Sequence, residues 1–481
     1  MKLKLKANEI DFDYSVVKNI SNTLRQSDFS ISCLLFKERT IWKIIDIFPC
    51  FQNRSIFGIA IDLGTTNIVL RLIDITQNRV ISEISFYNPQ ITIGPDILTR
   101  IHYADDKKGL NELNSILIDG INEKILALCQ SEDIDKTNIY GVAVAGNTAM
   151  THLFLGITPR WLIREPYIPV INNPGTLNAK NIGLDINQKA VVFVFPNIGS
   201  YFGGDLISGI IYSGIYKKEE ISILVDVGTN AEVVLGNKDW LIACAGAAGP
   251  ALESGVSKIG MMAEPGVIDK IKINQTNYEF DIRTIGNFKP KGICGSGIID
   301  LAAQLFFSGM IDIRGKFKED VCKNKLKNID GINHLIIVPS EKSATHNDLT
   351  ISQIDIDSLI RSKAAMYTIL ETIILYVGID FTDISKFYVA GTFGAYIDPV
   401  SAITIGMLPD LPIEKYVSIG NSSLSGAAIA LQDWQLTEDI YKIRDSITYL
   451  ELNVNQEFMN RFSAAKFIPH TDTSRFPSLK L

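Results

Sequence analysis

Gly58-Ile-Ala-Ile-Asp62-Leu-Gly64-Thr65-Thr66-Asn67-Ile-Val-Leu70 places an acid and a short Gly-Thr-Thr-Asn sequence between two apolar runs. This pattern predicts a strand, a tight turn and a second strand. Successive backbone amides in such a turn can form a concavity that binds phosphate oxygens. Asp62 would then face a phosphate-bound Mg²⁺, which prefers one or two carboxylates and water. A single copy also fits an ordinary β-hairpin, because Gly and Asn are common in hairpin turns.

A second copy of the same order occupies residues 223–236, Ile-Leu-Val-Asp226-Val-Gly228-Thr229-Asn230-Ala-Glu232-Val-Val-Leu-Gly. The acid, the glycine, the threonine and the asparagine recur between two apolar runs. A duplicated half-domain explains two matching copies better than two unrelated hairpins do, and an internal repeat constrains the fold before any other signal.

The composition of the chain argues against several classes of function. The chain has 481 residues, 46% of them hydrophobic, which is enough for two or three domains with large cores. A formal net charge of −7 does not indicate a nucleic-acid-binding protein. The basic start, residues 1–6, is not followed by the apolar stretch of a secretory signal, and no apolar run is long enough to span a bilayer. We therefore expect a cytoplasmic protein without a membrane partner.

The cysteines and histidines do not form a metal-binding pattern. The six cysteines are scattered without a C-x-x-C pair, and the five histidines do not cluster. We expect mostly buried free thiols and no zinc site.

The chain is predicted to divide into four segments. Residues 1–55 form an N-terminal appendage with short strands or one hairpin at 31–36 and 40–48. Residues 56–220 form a first lobe and residues 221–435 a second. Residues 436–481 form a C-terminal segment that packs on the core. Within the second lobe, the Lys-, Asn- and Asp-rich residues 315–348 are predicted to be a solvated excursion.

Three further small-residue segments are candidate ligand contacts. Gly146-Asn147-Thr148 follows a predicted strand and is either a ligand-contact edge or a helix N-cap. The Gly- and Ala-rich residues 245–255 allow either close approach to a ligand or tight helix–strand packing. Gly391-Thr392-Phe393-Gly394 follows the strand 387–390, and such small residues can let an adenine or a ribose lie on the backbone, although many α/β strands end this way.

Two Asp-x-Gly-Thr turns in tandem lobes, followed by the late turn at residues 391–394, resemble the ASKHA superfamily. That superfamily includes acetate and sugar kinases, Hsp70 and actin. The resemblance implies a two-lobed, duplicated, ribonuclease H-like α/β fold that holds ATP in a cleft. The first turn would be the phosphate-1 element, the second the phosphate-2 element and the late turn the adenosine element.

A narrower resemblance covers residues 56–475. The order of five segments is similar to that of the reductive activators of corrinoid proteins: 144–152, 245–255, 293–297, 406–412 and 420–427. Those proteins use ATP to help reduce an inactive Co(II) corrinoid to Co(I) on corrinoid proteins of methyltransferase systems. The resemblance therefore implies ATPase activity, a corrinoid protein as partner, an anaerobic context and, as in relatives, a homodimer.

The resemblance also assigns roles to residues. Asp62 and Asp226 would organise Mg²⁺ and the attacking water, with Glu253 as a further catalytic candidate and Glu232 as a weaker one. The residues that would contact the nucleotide are Gly64, Thr65, Thr66, Asn67, Gly228, Thr229, Asn230, Gly391, Thr392, Phe393 and Gly394.

One departure concerns electron transfer. Well-known members of that family carry an N-terminal plant-type [2Fe–2S] domain with a Cys-x4-Cys-x2-Cys run and a distant fourth cysteine. Residues 1–55 hold only Cys33 and Cys50. We expect no [2Fe–2S] cluster in this chain, a remnant of a connecting domain at residues 1–55, and a separate ferredoxin-like electron donor. Alternatively, the chain is only an ATP-dependent gate.

Three other functions fit the same ATP site. A small-molecule kinase would need a substrate pocket and an acceptor base. A dehydratase activator would need a [4Fe–4S] cluster between two subunits, for which Cys294 and either Cys244 or Cys322 are candidate ligands. A non-enzymatic module of the actin or Hsp70 type would bind ATP and a partner with little turnover.

Overall fold

The computed structural model describes residues 9–38, 41–50, 54–200, 202–228, 230–247, 257–391, 394, 397–452 and 457–480. Four predicted site residues lie outside the described residues: Thr229, Glu253, Thr392 and Phe393. The roles predicted for these four residues stay predictions.

Strands in the described residues form five sheets. In chain order they are β1 (Ile10–Phe12), β2 (Ile31–Glu38), β3 (Ile41–Pro49), β4 (Phe57–Leu63), β5 (Asn67–Asp74), β6 (Arg79–Tyr87), β7 (Ile139–Gly146), β8 (Gly175–Asn178), β9 (Val191–Val194), β10 (Ser222–Val227), β11 (Asn230–Gly236), β12 (Leu241–Ala247), β13 (Val267–Ile273), β14 (Phe280–Thr284), β15 (Gly292–Ile293), β16 (Leu326–Ile329), β17 (Ile332–Val338), β18 (Leu349–Ser352), β19 (Lys386–Ala390), β20 (Tyr416–Gly420) and β21 (Thr448–Tyr449).

The α-helices connect and cover these sheets. In chain order they are α1 (Tyr14–Gln26), α2 (Ile97–Tyr103), α3 (Lys107–Ser131), α4 (Thr148–Phe154), α5 (Ala179–Ile182), α6 (Gly204–Ser213), α7 (Gly295–Phe307), α8 (Glu319–Cys322), α9 (Gln353–Val377), α10 (Pro399–Thr404), α11 (Ser422–Gln432), α12 (Leu436–Ser446) and α13 (Phe458–Ala465). Among the described residues, no helix is both long and apolar enough to cross a membrane.

Two compact units make up the chain. The first comprises Met1–Gly214 and Ser422–Ile447, and the second comprises Ile215–Asn421 and Thr448–Leu481. The late segment joins the first unit because α11 packs on α6, where the Ser208 hydroxyl donates to the Ser423 carbonyl at 2.6 Å. The predicted second lobe, residues 221–435, included α11, so these units and the predicted segments differ at that helix.

A six-stranded sheet in the order β6-β5-β4-β7-β9-β8 forms the centre of the first unit. β4 is antiparallel to β5 and parallel to β7. The apolar residues of β4 are almost completely buried, and Ile59, Ile61 and Leu63 share a core with α3. Helix α3 presents its apolar residues at helical spacing to this core.

The second unit contains a six-stranded sheet in the order β20-β19-β10-β11-β12-β21. Its core includes Ile223 and Val225 of β10 and one face of the long helix α9. That helix begins with a capping box, in which the Ser352 hydroxyl accepts from the Asp355 amide and the Asp355 carboxylate accepts from the Ser352 amide.

The two sheets repeat one topology. The order β6-β5-β4-β7-β9 corresponds to β12-β11-β10-β19-β20, with an antiparallel three-stranded meander followed by two parallel strands in each case. This correspondence confirms the predicted duplicated α/β fold.

The predicted N-terminal hairpin is present as β2 and β3, and β1 extends it to the sheet β1-β3-β2. One face of this sheet covers Val16 of α1, a helix that the sequence interpretation missed. On the other face, Phe36 lies edge-on to Trp434 with ring centroids 4.5 Å apart. The Asp46 carboxylate also accepts a hydrogen bond from the Tyr140 hydroxyl at 2.7 Å and pairs with Lys189 at 2.5 Å.

The prediction of a solvated excursion at residues 315–348 was wrong. This region contains β16 and β17, which join β18 in a three-stranded sheet. Leu335, Ile337 and Val338 are buried in the core of the second unit, so apolar residues on β17 outweigh the polar composition of the surrounding segments.

Candidate functional site

Asp62 lies at the carboxyl end of β4, where it pairs with Val69 of β5 and with Ala145 of β7. Because β4 and β7 are parallel, the segments that follow them emerge at one edge of the sheet. Those segments are the Gly-Thr-Thr turn, residues 64–66, and the Gly-Asn-Thr segment, residues 146–148. The structure therefore brings together two motifs that are far apart in the sequence.

The turn after Asp62 requires glycine at its first position. A Cβ added to Gly64 would lie 2.3 Å from the Asn67 carbonyl oxygen. The completely buried Asn88 holds the turn through two hydrogen bonds, from its side-chain amide to the Gly64 carbonyl at 3.0 Å and from its backbone amide to the Thr66 carbonyl at 2.8 Å. The turn is thus fixed from the core before any ligand binds.

Asn147 has one of the two roles that the sequence left open, that of a helix N-cap, and its role as a ligand contact stays a prediction. Its Oδ1 accepts from the Met150 amide at 2.9 Å and caps α4. Its Nδ2 donates to the Thr65 hydroxyl at 3.1 Å, so the cap also contacts the phosphate-type turn.

Two functional candidates near Asp62 were missed in the sequence. The Ser423 hydroxyl, at the start of α11, donates to Asp62 Oδ1 at 2.8 Å. Asp205, in the first turn of α6, has a pKa raised to about 6 by desolvation of its carboxyl group and by the negative charge of Asp62. The sequence offered two signals, Gly-Gly-Asp at the start of α6 and Asn-Ser-Ser at the start of α11. Neither signal indicates that these residues contact Asp62.

Gly203 places Asp205 in this group. A Cβ on Gly203 would lie 2.4 Å from the Cα of Asn147 and 2.6 Å from Asp205 Oδ1. The segment before α6 therefore approaches the Gly-Asn-Thr segment too closely for a side chain. Asp62, Thr65, Asn147 and Asp205 form one oxygen-rich cluster, and Ser423 extends it.

In the second unit, Asp226 occupies the equivalent position on β10. It pairs with Glu232 of β11 and with Ala390 of β19. Gly391 follows directly in the left-handed region, with φ of 83°, and a Cβ there would lie 2.9 Å from Asp226 Oδ1. The predicted nucleoside-side glycine is thus next to the carboxylate of the second turn, while Gly394 is buried against Val389.

The residues present fit Mg²⁺ and phosphate. Mg²⁺ prefers oxygen ligands and retains several waters, so it needs one or two carboxylates together with phosphate oxygens. Each unit has one such carboxylate in its aspartate turn, Asp62 in the first unit and Asp226 in the second. In the part of the chain that the structure describes, no cluster of three or more His, Cys, Asp and Glu side chains forms a metal cage.

The three cysteines considered for an iron–sulfur cluster belong to the core of the second unit. Cys244, Cys294 and Cys322 are at most 4% exposed. Burial raises the pKa of the Cys322 thiol to about 11 and that of Cys244 further. A subunit-bridging cluster needs accessible thiolates, so these burial values disfavour all three as its ligands.

Fold and site define a class of protein, a duplicated ASKHA-type α/β protein with an aspartate turn in each repeat. Two family models match nearly the whole chain, "RACo middle region" at residues 57–218 and "C-terminal domain of RACo the ASKHA domain" at residues 220–480. The chain belongs to the RACo family of corrinoid-protein activators.

Individual relatives agree with this assignment. A solved structure described as a reductive activator for corrinoid, iron-sulfur protein is 38% identical, with a TM-score of 0.90 over 99% of this chain and 76% of that one. The corrinoid activation enzyme RamQ of Eubacterium limosum is 31% identical over 94% of this chain and 76% of its own. The [Co(II) methylated amine-specific corrinoid protein] reductase of Methanosarcina barkeri is 26% identical over 84% and 75%, respectively.

Proposed function

We propose that this chain is an ATP-dependent activator that promotes reduction of an inactive Co(II) corrinoid to Co(I) on a partner corrinoid protein. The observation that carries the proposal is the 38% identity to a reductive activator across 99% of the chain. The aspartate turn in each repeat supports the ATP dependence, because both turns have the residue types that bind phosphate and Mg²⁺.

In this proposal the two turns divide the nucleotide contacts. Gly64, Thr65, Thr66 and Asn67 contact phosphates from the first unit. The corresponding contacts from the second unit come from Gly228, Thr229 and Asn230. Asp62 and Asp226 would hold Mg²⁺, which would neutralise charge on the phosphates. The nucleoside side would be lined by Gly391, Thr392, Phe393 and Gly394. Phosphoryl transfer depends mainly on such positioning and charge neutralisation.

Asp205 is the base in our proposal. A catalytic base works best when its pKa is near the working pH, and burial together with Asp62 raises the pKa of Asp205 to about 6. Asp205 accepts the proton of the water that attacks the terminal phosphorus, and ADP and phosphate leave. Glu253 and Glu232 stay further candidates for orienting the water or the metal.

ATP turnover serves a conformational cycle. The ATP-bound activator binds the Co(II) form of its partner, favours the form without an axial ligand and so makes reduction easier. Hydrolysis then lowers the affinity and releases the partner. Such coupling requires different affinities for the two states, since a ligand shifts an equilibrium only by that difference.

The electron comes from a ferredoxin-like donor outside these 481 residues, because the sequence has no Cys-x4-Cys-x2-Cys run. We further propose that the protein works in the cytoplasm as a homodimer. The kinase, dehydratase-activator and actin-type functions differ from this proposal in what stimulates turnover.

The deciding experiment is anaerobic. The protein, Mg-ATP, a low-potential reductant and a Co(II) corrinoid protein are mixed, and the visible spectrum is followed. We expect Co(I) to appear faster with ATP than without it, and the corrinoid protein to stimulate phosphate release. Equal rates with and without ATP would contradict the proposal. ADP formation that a small metabolite stimulates, with the phosphoryl group transferred to that metabolite and not released as phosphate, would indicate a kinase.

A further inference from the structure

A buried arginine lies below the first phosphate-type turn. Arg100 of α2 is completely inaccessible to solvent, and it is one of the largest buried side chains in the molecule. Its Nε donates to the Gly94 carbonyl at 2.8 Å and its Nη1 to Gln90 Oε1 at 3.3 Å. Its Nη2 is buried without a hydrogen-bond partner among the described residues.

Among the residues that the structure describes, no buried acid compensates this charge. Arginine stays protonated in proteins, and although burial lowers the pKa of Arg100 to about 10, it is still a cation at neutral pH. The negative charge of Asp96 raises the pKa of Arg100 and so acts against the effect of burial. Asp96 is exposed, however, and its carboxylate accepts hydrogen bonds from the Thr99 amide and hydroxyl. Buried charges are normally paired, so an unpaired one in the core needs an explanation.

A chain of contacts joins this cation to the turn. Arg100 Nη1 lies 3.6 Å from Met150 Sδ, and Met150 Sδ lies 3.8 Å from Asn88 Nδ2. The same Asn88 nitrogen donates to the Gly64 carbonyl at 3.0 Å. Since Arg100, Asn88 and Met150 are all completely buried, little water separates the guanidinium from the turn to screen its field.

We propose that Arg100 is a positioning residue whose uncompensated positive charge raises the affinity of the Gly64–Asn67 turn for the phosphates of ATP. It does so without touching the ligand, through the field that it exerts across the buried Asn88 and Met150 layer. The inference rests on the proposed function, because it takes that turn as a phosphate ligand. The buried charge costs stability, because an apolar residue at position 100 would not have to be desolvated as an ion.

The test uses charge compensation rather than truncation. Gln90→Glu keeps the size of a side chain that already contacts Arg100 and turns that contact into an ion pair. The guanidinium stays in place, and the new carboxylate opposes its field. The substitution also removes the hydrogen bond that Gln90 Nε2 donates to the Leu113 carbonyl at 3.0 Å, so thermal melting must show that the variant folds. Arg100→Met removes the charge.

Binding of ATP, ADP and adenosine to each variant is measured by calorimetry, and folding is checked by thermal melting. For Gln90→Glu and Arg100→Met we expect ATP binding to weaken about tenfold, which corresponds to about 1.4 kcal/mol. ADP binding should weaken less, and adenosine binding should not change. This dependence on phosphate charge is a result that loss of packing alone would not produce.

The outcomes separate the two proposals. If the wild-type protein binds no ATP, the proposed function fails. If it binds ATP and folded Gln90→Glu binds ATP equally well, or if adenosine binding weakens as much as ATP binding, the role of Arg100 is overturned. Should Arg100→Met fail to fold, Gln90→Glu still decides the question.

Discussion

The two aspartate hairpins have the same strand register but different surroundings. Asp62 faces Val69 across its hairpin, accepts a hydrogen bond from Ser423 and lies near the carboxyl group of Asp205. Asp226 instead faces Glu232 across its hairpin and lies against the backbone of Gly391.

The two copies of the aspartate hairpin are suited to different roles. The first hairpin collects polar side chains from three later segments, at Asn147, Asp205 and Ser423, which suits proton transfer and phosphate positioning. The second has a carboxylate directly opposite its aspartate and a glycine turn beside it. This arrangement suits a metal and a closely approaching ligand.

The largest effect should follow from removing the second carboxylate. We expect Asp226→Ala to lower ATP turnover by about 10³-fold, since one preorganised charged group in such a site is worth that order of rate. Phosphate release measures the effect, and thermal melting checks the fold. The exposed Asp281→Ala in the same unit is the matched control. Near-normal turnover in Asp226→Ala would remove Asp226 from the site.

Asp205→Asn should reduce kcat about 100-fold, the usual contribution of a general base. Because a base must be deprotonated, wild-type kcat should rise with pH through about 6. The variant should lack that rise. Asp62→Asn should move the rise to lower pH, because the charge that helps to raise the pKa of Asp205 is gone. A pH profile that is the same in all three proteins would exclude Asp205 as the base.

Glu232, which lies opposite Asp226 in the second hairpin, can be tested for a role in metal binding by the substitution Glu232→Gln. If Glu232 helps to orient the metal or its waters, the Mg²⁺ concentration for half-maximal turnover should rise about tenfold. Val69→Gln, at the equivalent position of the first hairpin, is the matched control. If Glu232→Gln and the wild type need the same Mg²⁺ concentration, Glu232 has no role in metal binding, and Asp226 is the metal ligand of the second hairpin.

Ser423→Ala should have a smaller effect, about a fivefold loss of kcat/KM, because it removes one hydrogen bond to a charged group. Ser425→Ala removes a hydroxyl from the same helix without removing the hydrogen bond to Asp62. Similar losses in the two variants would show that helix packing, and not the contact with Asp62, is responsible.

The smallest effect concerns stability. The pKa of Asp205 is raised from 3.8 to about 6 in the folded protein, so its contribution to stability is present below pH 3.8 and is lost as the pH rises through 6. Asp205→Asn should therefore melt about 2–4 °C above the wild type at pH 7.5. That gain should be absent below pH 4. A gain that does not depend on pH would contradict the shifted pKa.

Most of the fold could be predicted because its signals are local. The two hairpins, α3, α9 and the strand before Gly391 follow from apolar periodicity and glycine turns within short windows. Residues 315–348 were misinterpreted because the short apolar run Leu335–Val338 of β17 was given less weight than the Lys-, Asn- and Asp-rich sequence around it. Helix α1 was missed because its apolar face is narrow and only Val16 is fully buried.

The candidate site was predictable where one segment contains both the strand and its turn. The residues in such segments are Asp62, Gly64, Thr65 and Asp226. Asp205 and Ser423 are not among them, since each reaches Asp62 only because its helix packs beside the end of β4. The same applies to Arg100, which a sequence shows only as one cation in a short helix.

Residue type and short spacing are enough to predict the duplicated strand–turn–strand pattern, the two aspartates and the resemblance to corrinoid-protein activators. The folded structure shows which carboxylate is close to another, which serine donates to Asp62 and which arginine, among the described residues, has a buried nitrogen without a hydrogen-bond partner. Proximity across hundreds of residues and the dielectric around each charge arise from packing. They therefore set the pKa of Asp205 and the environment of Arg100 only once the chain has folded.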